Sequence, residues 1–140
     1  MSYHIYTTKG IVLSERAVGE ADRIYSILTR DLGLVHATTL GVRKESSKLR
    51  GALEPFILSS ISFVRGKEYW RITSAQFLRA IPTSPFLARP LVLLEQLVQG
   101  EVSHPELFDA VEKLCSTLDV AQKAFEIQLV SQIMYHLGYL

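Results

Sequence analysis

The sequence predicts an α+β fold: a small five-stranded β-barrel over residues 1–80, then a small helical domain of three helices over residues 81–140. Three observations carry this. The first 80 residues fall into five short apolar or alternating runs broken by Gly-bearing turns, the pattern of a small barrel or sandwich. After Pro82 and Pro85 the apolar spacing changes to a helical period. A length of 140 residues, with 48% hydrophobic and 21% charged residues, fits one domain or one small domain plus an appendage, and excludes disorder.

The strands follow in order. Ile5–Leu13 is apolar and β-branched, with Gly10 inside it as a bulge or close-approach point. Gly19-Glu20-Ala21-Asp22 is a turn. Arg23–Thr29 and Leu34–Leu40 flank Arg30-Asp31-Leu32-Gly33, a hairpin loop ending in a glycine suited to a left-handed conformation. Residues 41–51 are rich in Ser, Lys and Arg and read as an exposed loop. Phe56–Val64 and Glu68–Leu78 form a second strand pair joined at Arg65-Gly66-Lys67; Trp70 and Ile72 alternate with Tyr69 and Arg71 as on a half-buried sheet. A long excursion after the third of five strands fits an OB-fold, and on counting alone it fits an SH3-like barrel almost as well.

For the first helix, Arg89–Gln99, Pro90 lies in the first turn and Gly100 beyond the end. Ser103 caps the second, where Leu107, Phe108, Val111, Leu114, Cys115 and Leu118 form one apolar stripe. The third starts near Asp119 and ends near Gly138, with Phe125, Leu129, Ile133 and Leu137 inward and His136 in its last turn. Helices this short are expected to pack on each other and on the barrel.

Composition removes most chemistries. No run approaches 18 apolar residues and the amino terminus lacks a signal-peptide layout, which predicts a cytoplasmic protein. The single Cys115 forms no internal disulfide, and four scattered histidines make no structural zinc site, so no metal or cofactor is expected. Phosphate-loop, zinc-protease and nucleophile-elbow motifs are missing. Cys115 sits on an apolar stripe as a buried thiol, His4 and His36 sit in strands, and Glu20 with Asp22 is turn chemistry. The chain therefore reads as a non-enzyme.

A net charge of +1 conceals an asymmetry: residues 1–80 carry a net +5 and residues 81–140 a net −4. The 41–51 loop holds Arg43, Lys44, Lys48 and Arg50 with two serines between flanking glycines, groups able to donate to phosphate oxygens at close backbone approach. A second basic group, Arg65 and Lys67 with Arg71, lies at the last strand turn, where OB-fold loops border the face that holds single strands. Tyr69, Tyr25 and Tyr6 are candidates for base stacking, beside an ordinary role in sheet packing. The acidic, apolar-rich helical half supports a different reading: a protein-interaction adaptor whose barrel is a scaffold that binds DNA only with a partner.

The strings Lys9-Gly10-Ile11-Val12-Leu13, Gly19-Glu20-Ala21-Asp22-Arg23-Ile24, Leu28-Thr29-Arg30 and Gly33 resemble the opening of the bacterial recombination mediator family RecO. The resemblance runs on through Gly41-Val42-Arg43-Lys44, Ser47-Lys48-Leu49-Arg50-Gly51, Leu53-Glu54-Pro55-Phe56 and Arg65-Gly66-Lys67 to Pro105-Glu106-Leu107-Phe108 and Leu137-Gly138-Tyr139. It implies an amino-terminal OB-fold and a helical domain. It also implies binding of single- and double-stranded DNA, annealing of complementary strands, and help in loading the RecA recombinase onto DNA coated by single-strand-binding protein. The implied partners are RecR and the acidic tail of that binding protein, and the implied location is cytoplasmic and nucleoid-associated. On this resemblance the DNA contacts are Arg43, Lys44, Lys48 and Arg50 in the loop and Arg65 and Lys67 in the hairpin. Typical members continue past Leu-Gly-Tyr into a cysteine-bearing, often zinc-binding segment and further helices. This chain stops at Leu140, as expected of a short natural variant or a fragment.

Overall fold

The computed structural model describes residues 4–18, 22–39, 49–98 and 100–139. Five strands, β1 (Tyr6–Val18), β2 (Asp22–Thr29), β3 (Gly33–Thr39), β4 (Ile57–Val64) and β5 (Trp70–Ala80), close into a barrel in the order β1-β2-β3-β5-β4. Neighbours are antiparallel except β3 and β5, which run parallel where Ala37 meets Trp70 and Thr38 meets Arg71. That closure is the OB-fold arrangement, and it settles the choice that strand counting leaves open. Before β4, Arg50–Ala52 forms a short 3-10 turn. The expected 19–22 turn and 41–51 loop lie mostly outside the described residues.

Two features of β1 differ from the sequence reading. The strand runs on to Val18, because Ser14–Val18 pair with β2 although they are mostly polar. The register slips between Val12 and Ser14, so the bulge lies at Leu13 and not at Gly10. Gly10 takes the other role expected of it, close approach: a Cβ there would lie 2.8 Å from Ile27 Cγ2 and 3.2 Å from Ile61 Cδ1. Gly33 ends the β2–β3 loop at φ +76°, the left-handed region that favours glycine.

Inward residues of the strands, among them Val12, Ile27, Val35, Ile61, Phe63 and Trp70, fill the barrel. The outer wall is apolar along one flank, where Ile11, Leu13, Leu28, Leu34 and Leu58 are buried beneath the helices. These are α1 (Pro85–Leu97), α2 (Pro105–Thr117) and α3 (Lys123–His136). Leu87, Leu91 and Leu94 of α1, Leu107, Phe108 and Val111 of α2, and Phe125, Leu129 and Ile133 of α3 join that flank in one continuous cluster. Burial of each large aliphatic side chain contributes roughly 1.5–3 kcal/mol, so this layer is a major source of stability for both parts.

The helix boundaries correct three expectations. α1 starts at Pro85 rather than Arg89: Ser84 is its N-cap, accepting the Leu87 N–H at 3.2 Å, and Pro85 fills the first position, where a missing N–H costs nothing. Pro90 is thus buried inside the helix, not in its first turn. At α2 the N-cap is His104, not Ser103, and it makes no side-chain cap bond. α3 begins at Lys123; Asp119 closes a turn before it by accepting the Ala121 N–H at 2.9 Å. The α2 stripe is buried at Leu107, Phe108, Val111 and Cys115, but Leu118 is exposed past the helix end.

Ion pairs lace the layers together. Arg30 grips Asp109 of α2 through two bonds of 2.9 and 3.0 Å, and Lys9 reaches Glu112 at 3.2 Å. Arg89 joins α1 to Glu126 of α3 at 2.7 Å. The hydrogen bonds from Arg30 and Arg89 hold the Asp109 and Glu126 carboxyls below their ordinary range.

Candidate nucleic-acid interface

The β4–β5 turn folds tightly because Gly66 has no Cβ; a side chain there would collide with the Tyr69 carbonyl oxygen. The turn places Arg65 and Lys67 in solvent, and outward alternation on β5 exposes Arg71 beside them. Lys67 and Arg71 have no ion pair among the described residues, whereas Arg65 is held. Its guanidinium carbon lies 4.3 Å from the centroid of the Trp70 ring, and its Nη2 donates to Glu101 Oε2 at 3.2 Å. Glu101 also accepts the Trp70 indole N–H through its other oxygen. One carboxylate from the α1–α2 connection therefore bridges a surface cation and a core tryptophan.

Strand pairing ties this hairpin to the second basic segment. Arg71 is opposite Thr38, and β3 ends one residue later at Thr39. The chain bearing Arg43, Lys44 and Lys48 thus departs from the strand that borders Arg71. Those three residues lie outside the described residues, and Arg50 opens the 3-10 turn. Arg65, Lys67 and Arg71 are brought together at one rim of the barrel.

The stacking candidates fare differently. Tyr25 takes an inward position on β2 and is buried in the barrel, so no base can reach its ring. Tyr6 is half-buried with its ring edge-on to Trp70 at 5.3 Å, and Tyr69 is half-buried in the turn. Sequence reasoning missed Glu101 and Trp70 as participants, since nothing local marks an acid 36 residues away as the partner of Arg65.

Elsewhere the chemistry is quiet. Cys115 is buried on α2, and burial pushes its thiol up to about 11, far from the reactive range. Among the described residues no group of His, Cys, Asp and Glu could hold a metal ion, and no helix is long and apolar enough to cross a membrane.

Comparison with known proteins places this architecture. The family model for the recombination protein O amino terminus matches residues 1–81. A Dehalococcoides mccartyi protein named DNA repair protein RecO is 33% identical over 145 residues, covering 94% of this chain and 57% of its own. A Synechococcus protein of the same name is 34% identical over 154 residues, covering 98% of this chain and 54% of its own. A Gloeobacter violaceus namesake is 37% identical over 82 residues. The chain spans little more than half the length of the first two relatives.

Proposed function

The chain belongs to the recombination protein O (RecO) family, and from that premise we propose that it is a non-enzymatic DNA-binding module of recombination and repair. The barrel of residues 1–80 carries the DNA contacts and the helices of residues 81–140 support it. The observation that carries the reading is the exposed cluster of Arg65, Lys67 and Arg71 at the barrel rim, beside the strand end that leads into Arg43, Lys44, Lys48 and Arg50. These cations neutralise backbone phosphates on single- and double-stranded DNA and lower the repulsion between two complementary strands, so that they anneal. Assistance to RecA loading, contact with RecR and with the acidic tail of single-strand-binding protein, and a nucleoid-associated location extend the same proposal. The names of the relatives and the resemblance of the basic motifs support it.

The test is fluorescence anisotropy of a labelled single strand titrated at several salt concentrations. About six engaged cations give a log–log salt slope of about −4, each phosphate contact contributing about −0.7. Replacing Arg43 and Lys44 together with Ala is expected to make that slope shallower by more than one unit. An absence of binding at low salt would overturn the proposal, and an unchanged slope would remove the loop from it. The hold of Glu101 on Arg65 favours a second reading, in which the chain binds DNA only once a protein partner displaces that carboxylate.

A further inference from the structure

Away from the hairpin, the barrel wall carries a polar cleft that the basic segments do not account for. The bulge at Leu13 resets the alternation of β1, so that Ser14 and Arg16 face outward in register with β2. Ser14 lies opposite Ser26, which lies opposite His36 of β3; Arg16 lies opposite Ile24. The helical layer stops beside this row, and Glu95 of α1 forms its wall, accepting a hydrogen bond from Ser14 Oγ at 3.3 Å. Together these six residues line a cleft of about 190 Å³.

Ser26 makes the cleft more than a surface dimple. Its hydroxyl is buried, and among the described residues it has no hydrogen-bond partner. A buried hydroxyl left unpaired opposes folding unless something uses it. The other groups define what that is. Arg16 donates only, Glu95 accepts only, the serines and His36 can do either, and Ile24 gives an apolar floor. A lone phosphate would meet the Glu95 carboxylate, and a hydrocarbon would strand Arg16 and Ser26. A nucleobase has a flat apolar face and an edge carrying both donors and acceptors. The volume is below the roughly 300–1,000 Å³ of drug-sized pockets and suits one ring system.

We propose that this cleft holds one unpaired nucleobase of a bound single strand and prefers a base with an exocyclic amino group, which Glu95 accepts. The proposal rests on the DNA-binding reading above and names the subsite. His36 adjoins Ala37, the β3 residue opposite Trp70, so a strand held at the hairpin reaches the cleft by crossing β3. Thymine lacks an exocyclic amine, so discrimination runs against it.

The experiment compares oligo-dC with oligo-dT of equal length by anisotropy, using the full chain. The expected result is about fivefold tighter binding of oligo-dC, the low end of what one base-edge contact discriminates. Glu95→Ala is expected to abolish that preference without weakening oligo-dT binding. Ser26→Ala is expected to weaken oligo-dC binding about threefold, as for one neutral hydrogen bond, with a melting temperature no lower than that of the parent. A lower melting temperature in Ser26→Ala would make the residue structural and overturn the proposal. So would equal affinities for the two oligonucleotides that neither variant changes, which leaves the DNA-binding reading intact. No binding of either oligonucleotide by the parent chain overturns both.

Discussion

Glu101→Gln is the most informative single change, because the same carboxylate holds Arg65 and neighbours the proposed DNA contacts. The Arg65 and Glu101 side chains are 63% and 42% exposed, so losing their attraction costs the fold at most about 0–1 kcal/mol. A Gln oxygen can still accept the Trp70 N–H. The effect on DNA runs the other way. For a phosphate bound about 7 Å from that carboxylate, removing the charge would relieve about 0.6 kcal/mol in a water-like dielectric, or about threefold in affinity at low salt. Arg65, released from Glu101, is expected to engage phosphate more fully, which steepens the salt slope on single strands by up to about 0.7. Anisotropy titrations over a salt series read both quantities. Glu106→Gln, an equal charge change at an exposed carboxylate with no ion pair among the described residues, separates local from global charge. If Glu101→Gln leaves affinity and slope unchanged, and Arg65→Ala weakens neither, the hairpin is off the DNA track.

Three further outcomes test the fold. Gly33→Ala is expected to cost about 2 kcal/mol or more in urea denaturation, since the residue sits at φ +76° and a Cβ would come within 2.5 Å of the Val102 carbonyl oxygen. Leu94→Ala, in the cluster shared by helices and barrel, is expected to cost about 2–5 kcal/mol. Its unfolding followed by Trp70 fluorescence, the only tryptophan, should coincide with helical circular dichroism; separated transitions would refute the shared core. Cys115 should resist alkylation in the native state and react quickly once denatured. Because its folded value of about 11 is raised above the unfolded one near 9.0, its contribution is fully present below pH 9 and is lost as pH rises towards 11, which Cys115→Ser would abolish.

Local chemistry made much of this fold legible. Alternation marks β5, where Trp70 and Ile72 are buried around an exposed Arg71, and helical spacing marks Leu107, Phe108, Val111 and Cys115. What escaped depends on contacts distant in sequence. The OB closure rests on a two-residue parallel meeting of β3 and β5, which no local pattern announces. The polar end of β1 is a strand because β2 pairs with it, not because its residues are apolar. Two proline signals compete for the start of α1, and only the Ser84 cap decides for Pro85. At the rim, the grouping of Arg65, Lys67 and Arg71 follows from a short turn and simple alternation. The Glu101 contact requires the α1–α2 connection to fold back over the hairpin.

The slip at Leu13 makes β1 two half-strands of opposite parity. Upstream of it, odd-numbered Ile11 goes to the helices and even-numbered Val12 goes into the barrel. Downstream, even-numbered Ser14 and Arg16 face out. Deleting Leu13 would remove the extra residue and leave regular pairing, with Val12 opposite Ile27 and Ser14 opposite Ser26 as before, so the polar half would keep its outward face. What such a deletion would remove is an apolar contact, since Leu13 belongs to the cluster beneath the helices. The bulge thus spends one residue to let two neighbours, Leu13 and Ser14, share the outward side, the first packed on the helices and the second opening onto the cleft.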